Sequence, residues 1–351
     1  MPPHVSSFPA WSRLLPPLCA LAAILAGGGA FVLFVDHSIH QMRKEGVFLP
    51  TDRVPEFVEA IAFHAMDYAA HSQERNEVVF IGDSTCIAES MPTLFQECTG
   101  LRAYNLGTPG ALGFEGYEII LRAYLEHHPK PQIIAFCLHP SALSIRSEPQ
   151  WVGDRFVNVY GSGPCVWQFN PQSIAPIVKL AMQMTMDSDR NAYADKPMSA
   201  KSGHSFRSLR ETMGKQRGFW LWPGNYTRFV NGRLADDTES FPVTENMKEG
   251  VAKILRLAGR HDIPVLFRLS PILANGKSDL SRLNAWLDTL EAGEECRVIV
   301  SRPEVLKYDR ALFGNETPEH CNDRGAREFT RFMAEEVARI LHAADTLAES
   351  R

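Results

Sequence analysis

The chain has 351 residues, of which 45% are hydrophobic and 22% charged, a composition that suits one large α/β domain or two small ones and excludes wholesale disorder. Its 36 Lys and Arg against 41 Asp and Glu leave a net charge of −5. With no basic block, the chain lacks the electrostatic footprint that a phosphate backbone demands, so nucleic acid is not an expected partner.

Seven cysteines without a Cys-x-x-Cys pair make neither a disulfide scaffold nor a zinc ribbon. Cys19 lies in an apolar N-terminal run; the other six either pair in an oxidising compartment or are small buried thiols.

From Leu14 to Val35 no residue is charged. About 20 apolar residues span a bilayer core of roughly 30 Å. The apolar character resumes after the glycines at 27–29, which favours an uncleaved anchor over a signal peptide. The expectation is a single-pass anchor over 1–36, a juxtamembrane linker and helix over 37–75, and the remainder, 76–351, outside the cytoplasm.

Helical periodicity covers 54–72. The run Asn76–Gly82 is apolar and closes on glycine, as a buried parallel strand does. A helix over 90–98, a strand over 102–107, a helix over 116–127 and a strand over 132–138 follow. Regular alternation then stops. Residues 141–243 read as a large insertion, with a helix near 172–186 and a polar, loop-like stretch over 187–217. Alternation returns with a helix over 244–260, a strand over 263–269, a helix over 278–291 and a strand over 297–300. The last helix, about 323–345, carries Phe329, Phe332, Met333, Val337, Ile340 and Leu341 on one face. Strands alternating with helices predict an α/β fold: a flavodoxin-like three-layer α/β/α sandwich on a parallel sheet.

Three segments carry candidate chemistry. Gly82-Asp83-Ser84 lies where the first strand ends, and reactive groups of open parallel sheets collect at the carboxyl ends of strands. Ser84 is there a candidate nucleophile that needs a base, while Asp83 or Ser84 is equally suited to cap the following helix. His320 stands just before the last helix, whose N-cap is Asn322 or Asp323, and is the candidate base. Asn105-Leu106-Gly107-Thr108-Pro109-Gly110 follows the second strand, where the Gly107 N–H could face an oxyanion beside that of Ser84.

Together these resemble the SGNH (GDSL-like) hydrolase superfamily, over roughly 76–140 and 244–345. More narrowly, the N-terminal run, the second block and the ending His320-Cys321-Asn322-Asp323-Arg324-Gly325-Ala326-Arg327-Glu328-Phe329-Thr330 resemble its membrane-anchored, polymer-modifying branch, the alginate O-acetylation and teichoic-acid D-alanyl transfer proteins. The resemblance implies a Ser84–His320 acyl-enzyme, oxyanion or binding contacts near Asp83, Asn105 and Gly107, a cell-surface glycopolymer as acceptor, and an integral-membrane acyltransferase partner as donor. It also implies a bacterial membrane location with the domain in the periplasm. No metal or organic cofactor is indicated.

Two departures stand out. Thr317 occupies the position where the family places aspartate, which leaves Glu316, Glu319 or a backbone carbonyl to orient the imidazole. The family's Gly-x-Asn-Asp block is absent; His139, after the third strand, is a substitute donor. Three function classes remain in view: an O-acyltransferase, an esterase or deacetylase, and a non-catalytic glycopolymer-binding scaffold. His64 and His71 read as helix-surface residues, Asn275-Gly276-Lys277-Ser278 lacks the first glycine of a phosphate loop, and the aromatics at 219–222 read as packing before sugar stacking.

Overall fold

The computed structural model describes residues 56–143, 195–198, 204–221, 243–273, 280–293, 296–302, 307–314 and 320–349, together with most of a helical stretch over 26–37. Among the described residues no helix is long and apolar enough to cross a membrane. Residues 14–25 of the apolar run, much of the linker, the helix expected near 172–186 and most of the insertion lie outside them.

The elements run α1 (Phe57–His71), β1 (Val78–Gly82), α2 (Ser84–Glu89), α3 (Pro92–Thr99), β2 (Ala103–Asn105), α4 (Gly113–His127), β3 (Ile133–Leu138), α5 (Phe206–Lys215), α6 (Glu245–Arg260), β4 (Val265–Leu269), β5 (Ile272–Leu273), α7 (Ser281–Glu291), β6 (Val298–Ser301), β7 (Lys307–Tyr308) and α8 (Asp323–Glu349). The five long strands form one sheet in the order β2-β1-β3-β4-β6, every pair parallel. Counting only its own strands, that is the 2-1-3-4-5 order of flavodoxin-like sheets, whose switch point lies between β1 and β3.

β1 and β3 are apolar on both sides because helices cover both faces. Val79, Ile81, Ile134, Phe136, Val265 and Phe267 share one core with α1, α4, α6 and α7. Val78, Phe80, Ile133, Ala135 and Leu266 share the other with α2, α3 and α8, where Phe329, Met333 and Val337 are fully buried. Complete burial of one such side chain contributes about 1.5–3 kcal/mol, so α8 is held by its apolar face more than by its own helical propensity.

One element is added here and two expectations change. The helix expected over 90–98 is α3, and a further short helix, α2, precedes it: Asp83 caps α2 and Pro92 starts α3 afresh. Part of the stretch read as a polar loop over 187–217 is α5: Ser205 caps it, and Phe206, Leu209 and Met213 are buried against Ile61 and Ile87. Its few apolar residues fall on one face, which composition alone conceals. His64 is buried, with Nε2 3.2 Å from the Tyr104 hydroxyl, and burial pulls its pKa down to about 4. Cys86, Cys137, Cys296 and Cys321 are buried free thiols, and Cys98 is an exposed one.

Candidate active site

β1 ends at Gly82, whose φ is +151° and whose position admits no side chain: a Cβ there would stand 1.7 Å from the Cys137 carbonyl oxygen. Glycine is therefore required, and it lets β1 turn sharply while lying against β3. The turn is locked by Asp83. Its Oδ1 accepts the Thr85 N–H at 2.9 Å and the Thr85 hydroxyl at 2.6 Å, and its Oδ2 accepts the His139 N–H at 2.9 Å. Desolvation raises the Asp83 pKa, against the pull of these hydrogen bonds. Asp83 thus braces the ends of β1 and β3; both carboxylate oxygens are taken by the protein, not offered to an oxyanion.

Ser84 follows as the first residue of α2, half-buried at the sheet's carboxyl edge. His320 arrives from the far end of the chain. A short antiparallel bridge pairs Phe313 with Cys321, Gly314 donates its N–H to the His320 carbonyl at 2.8 Å, and Asn322 donates its N–H to the Leu312 carbonyl at 2.8 Å. Asn322 is the cap of α8: its Oδ1 accepts the Gly325 N–H at 3.0 Å, and its Nδ2 donates to the Ala311 and Phe313 carbonyls at 2.7 and 3.1 Å. Gly325 allows that turn to close, since a Cβ there would meet the Leu312 carbonyl oxygen at 2.3 Å. The result is a contact between residues 236 positions apart: His320 Nε2 lies 2.9 Å from Ser84 Oγ. Burial lowers the His320 pKa to about 4, so the imidazole is neutral at pH 7 and able to accept the serine proton.

His139 stands beside this pair, buried, and its pKa falls to about 3 through desolvation first and the neighbouring His320 second. The Ser141 N–H donates to its Nδ1 at 3.2 Å, and the Ser141 hydroxyl lies 2.6 Å from the same nitrogen. A lone pair on Nδ1 leaves the proton on Nε2, so the ring is a neutral donor.

The second block behaves differently from expectation. Asn105 is buried and its amide nitrogen holds the end of α2: Nδ2 donates to the Cys86 and Ser90 carbonyls at 2.7 and 2.8 Å. Its Oδ1 accepts the Gly107 N–H at 2.8 Å, so the donor expected to face an oxyanion is already engaged. The loop still reaches the site, because the Thr108 N–H donates to the Gly82 carbonyl at 3.0 Å. Two residues on, the exposed Gly110 makes no hydrogen bond with its N–H among the described residues, and neither does Ser84.

Glu316, Thr317 and Glu319 lie outside the described residues. Of the aromatic segment, Trp220 packs on Phe57 and His204. Phe219 and Leu221, with Met91, Asp323 and Arg327, line a surface hollow of about 230 Å³. Among the described residues no cluster of three His, Cys, Asp or Glu could hold a metal ion. Chemically, the arrangement joins a hydroxyl and a neutral imidazole that can take its proton at one sheet edge, the pair with which serine acyl transfer begins. No family model matches the chain, and no curated protein or solved structure matches it.

Proposed function

We propose that the protein is an SGNH-type serine acyltransferase, membrane-anchored through residues 14–35, that O-acetylates a cell-surface polysaccharide outside the cytoplasm. The observation that carries this reading is the 2.9 Å contact between Ser84 Oγ and His320 Nε2 at the carboxyl end of β1. Ser84 Oγ attacks the acyl carbonyl while His320 Nε2 takes its proton, then returns that proton to the departing group. An acceptor sugar hydroxyl repeats the sequence in reverse: His320 takes its proton, its oxygen takes the acyl group, and Ser84 recovers a proton. The N–H groups of Ser84 and Gly110 and the Nε2–H of His139 receive the tetrahedral oxyanion. An integral-membrane acyltransferase partner supplies the acyl group.

Intact mass of the full-length protein after exposure to an activated acetyl ester tests the reading. One acetyl adduct is expected on the wild type and none on Ser84→Ala or His320→Ala. Faster discharge to added glycan than to water supports transfer; the reverse makes the protein an esterase. A Ser84→Ala protein that sustains full function in the cell, with no adduct formed by the wild type, would leave a glycopolymer-binding scaffold.

A further inference from the structure

Glu89 is a fully buried carboxyl that the steps above leave unused. It sits on α2, the helix that Ser84 begins, and its Oε1 accepts the N–H of Cys321, the residue after His320, at 3.2 Å. The main chain of the same residue makes a second tie. Its carbonyl accepts the Thr330 hydroxyl of α8 at 2.8 Å, and Thr330 Oγ1 accepts the Met91 N–H at 3.0 Å. The Ser270 hydroxyl, at the end of β4, lies beside the carboxyl and donates to Thr85 Oγ1 at 2.7 Å, and Thr85 is held by Asp83. The two neighbours of Ser84 in sequence and the residue after His320 are thereby joined through Glu89 and Ser270.

We propose that Glu89 is a positioning residue for the Ser84–His320 pair, bracing the segment that carries the imidazole against the helix that carries the hydroxyl. This rests on the reading of those two residues as base and nucleophile. Packing alone does not explain an acid here, because a buried polar group, even a neutral one, costs stability unless it is hydrogen-bonded. Burial pushes the Glu89 pKa up to about 8, so near neutral pH the carboxyl keeps its proton, which leaves Oε1 accepting from Cys321 and a donor at Oε2. The charged and titratable groups around it are Asp83, the Cys321 thiol, Tyr308 and Arg268, the last already paired with Glu336. Oε2 of Glu89, Nε and Nη2 of Arg268 and the Tyr308 hydroxyl are all buried without a hydrogen-bond partner among the described residues. Ordered water is the usual partner of such groups.

Two variants of the full-length protein test the brace. Glu89→Gln keeps one acceptor and one donor in nearly the same shape; Glu89→Met keeps the volume and loses both. Labelling of Ser84 by a fluorophosphonate is followed alongside amide hydrogen exchange, by mass spectrometry, in peptides covering Phe313–Ala326. Glu89→Gln should stay within about 3-fold of wild type in maximal labelling rate. Glu89→Met should fall about 10- to 100-fold in that rate at unchanged half-saturating probe concentration, as expected for a misplaced base. Exchange at Cys321 should be slow in wild type and Glu89→Gln and fast in Glu89→Met. Wild-type labelling and exchange in Glu89→Met would overturn the proposal, and so would Glu89→Gln failing as badly as Glu89→Met. If Glu89→Met does not fold, rapid exchange of Cys321 in the wild type overturns it and slow exchange retained in Glu89→Gln supports it. A wild-type Ser84 inert to the probe would defeat the acyltransferase reading, while exchange would still decide the brace.

Discussion

Replacing Asp83 by Asn is the sharpest probe of how Ser84 is presented. The carboxylate accepts three hydrogen bonds inside the protein, two from Thr85 at Oδ1 and one from the His139 N–H at Oδ2. Asparagine has one acceptor oxygen. If that oxygen stays with Thr85, the amide nitrogen faces the His139 N–H and two donors oppose each other. A buried N–H left unsatisfied costs about 1–3 kcal/mol, and relief of the desolvation that raises the Asp83 pKa returns part of it, leaving about 2 kcal/mol. Asp83→Ala strands three donors and should cost about 4 kcal/mol or more, a large part of the roughly 5–15 kcal/mol that holds a typical domain. Urea unfolding reads both as shifts of midpoint at constant slope. Fluorophosphonate labelling of Ser84 should slow about 10-fold in Asp83→Asn, because the turn loosens. A double-mutant cycle with Thr85→Ala should show coupling of about 0.5–3 kcal/mol. Unchanged midpoints in both Asp83 variants, or additivity with Thr85→Ala, would refute the bracing role.

Gly82→Ala should abolish both labelling and soluble expression, since its Cβ would overlap the Cys137 carbonyl oxygen; normal yield of an active protein would contradict the turn geometry. Stability should peak near pH 6.5. His64, His139 and His320 have folded pKa values of about 4, 3 and 4, below their unfolded value of 6.5, so their contribution is whole above pH 6.5 and is lost as pH falls through 4. Glu89 has the opposite sign: raised from 4.5 to about 8, it costs about 1.4 kcal/mol per pH unit across that window, so Glu89→Gln should flatten the alkaline side of a melting-temperature profile. Arg268 is fully buried between Phe329 and Phe332 and paired to Glu336 at 2.6 Å. Glu336→Leu should therefore cost about 3–5 kcal/mol in urea unfolding, and adding Arg268→Met should restore most of it.

Local pattern carried the architecture. Apolar runs such as Val78–Gly82 and Ile133–Leu138 are hydrophobic on both faces only because helices cover both, so a parallel sheet follows from periodicity and element order alone. The last helix was legible for the same reason: its core stripe from Phe329 to Leu341 repeats with the helical period. α5 escaped notice because three apolar residues in a polar stretch acquire meaning only when Ile61 and Ile87 are there to receive them.

At the site, Ser84 and His320 were legible because each stands at a recognisable chain punctuation, a strand end and a helix start. The 2.9 Å contact between them, the engagement of Gly107 by Asn105 and the hydrogen bond from the Cys321 N–H to Glu89 were decided by tertiary structure. The physical reason is separation along the chain. Residue type and short spacing record what a segment does with its neighbours. Which donor a distant acceptor consumes, and which carboxyl loses its water, depends on how α2, β3 and α8 pack around one sheet edge.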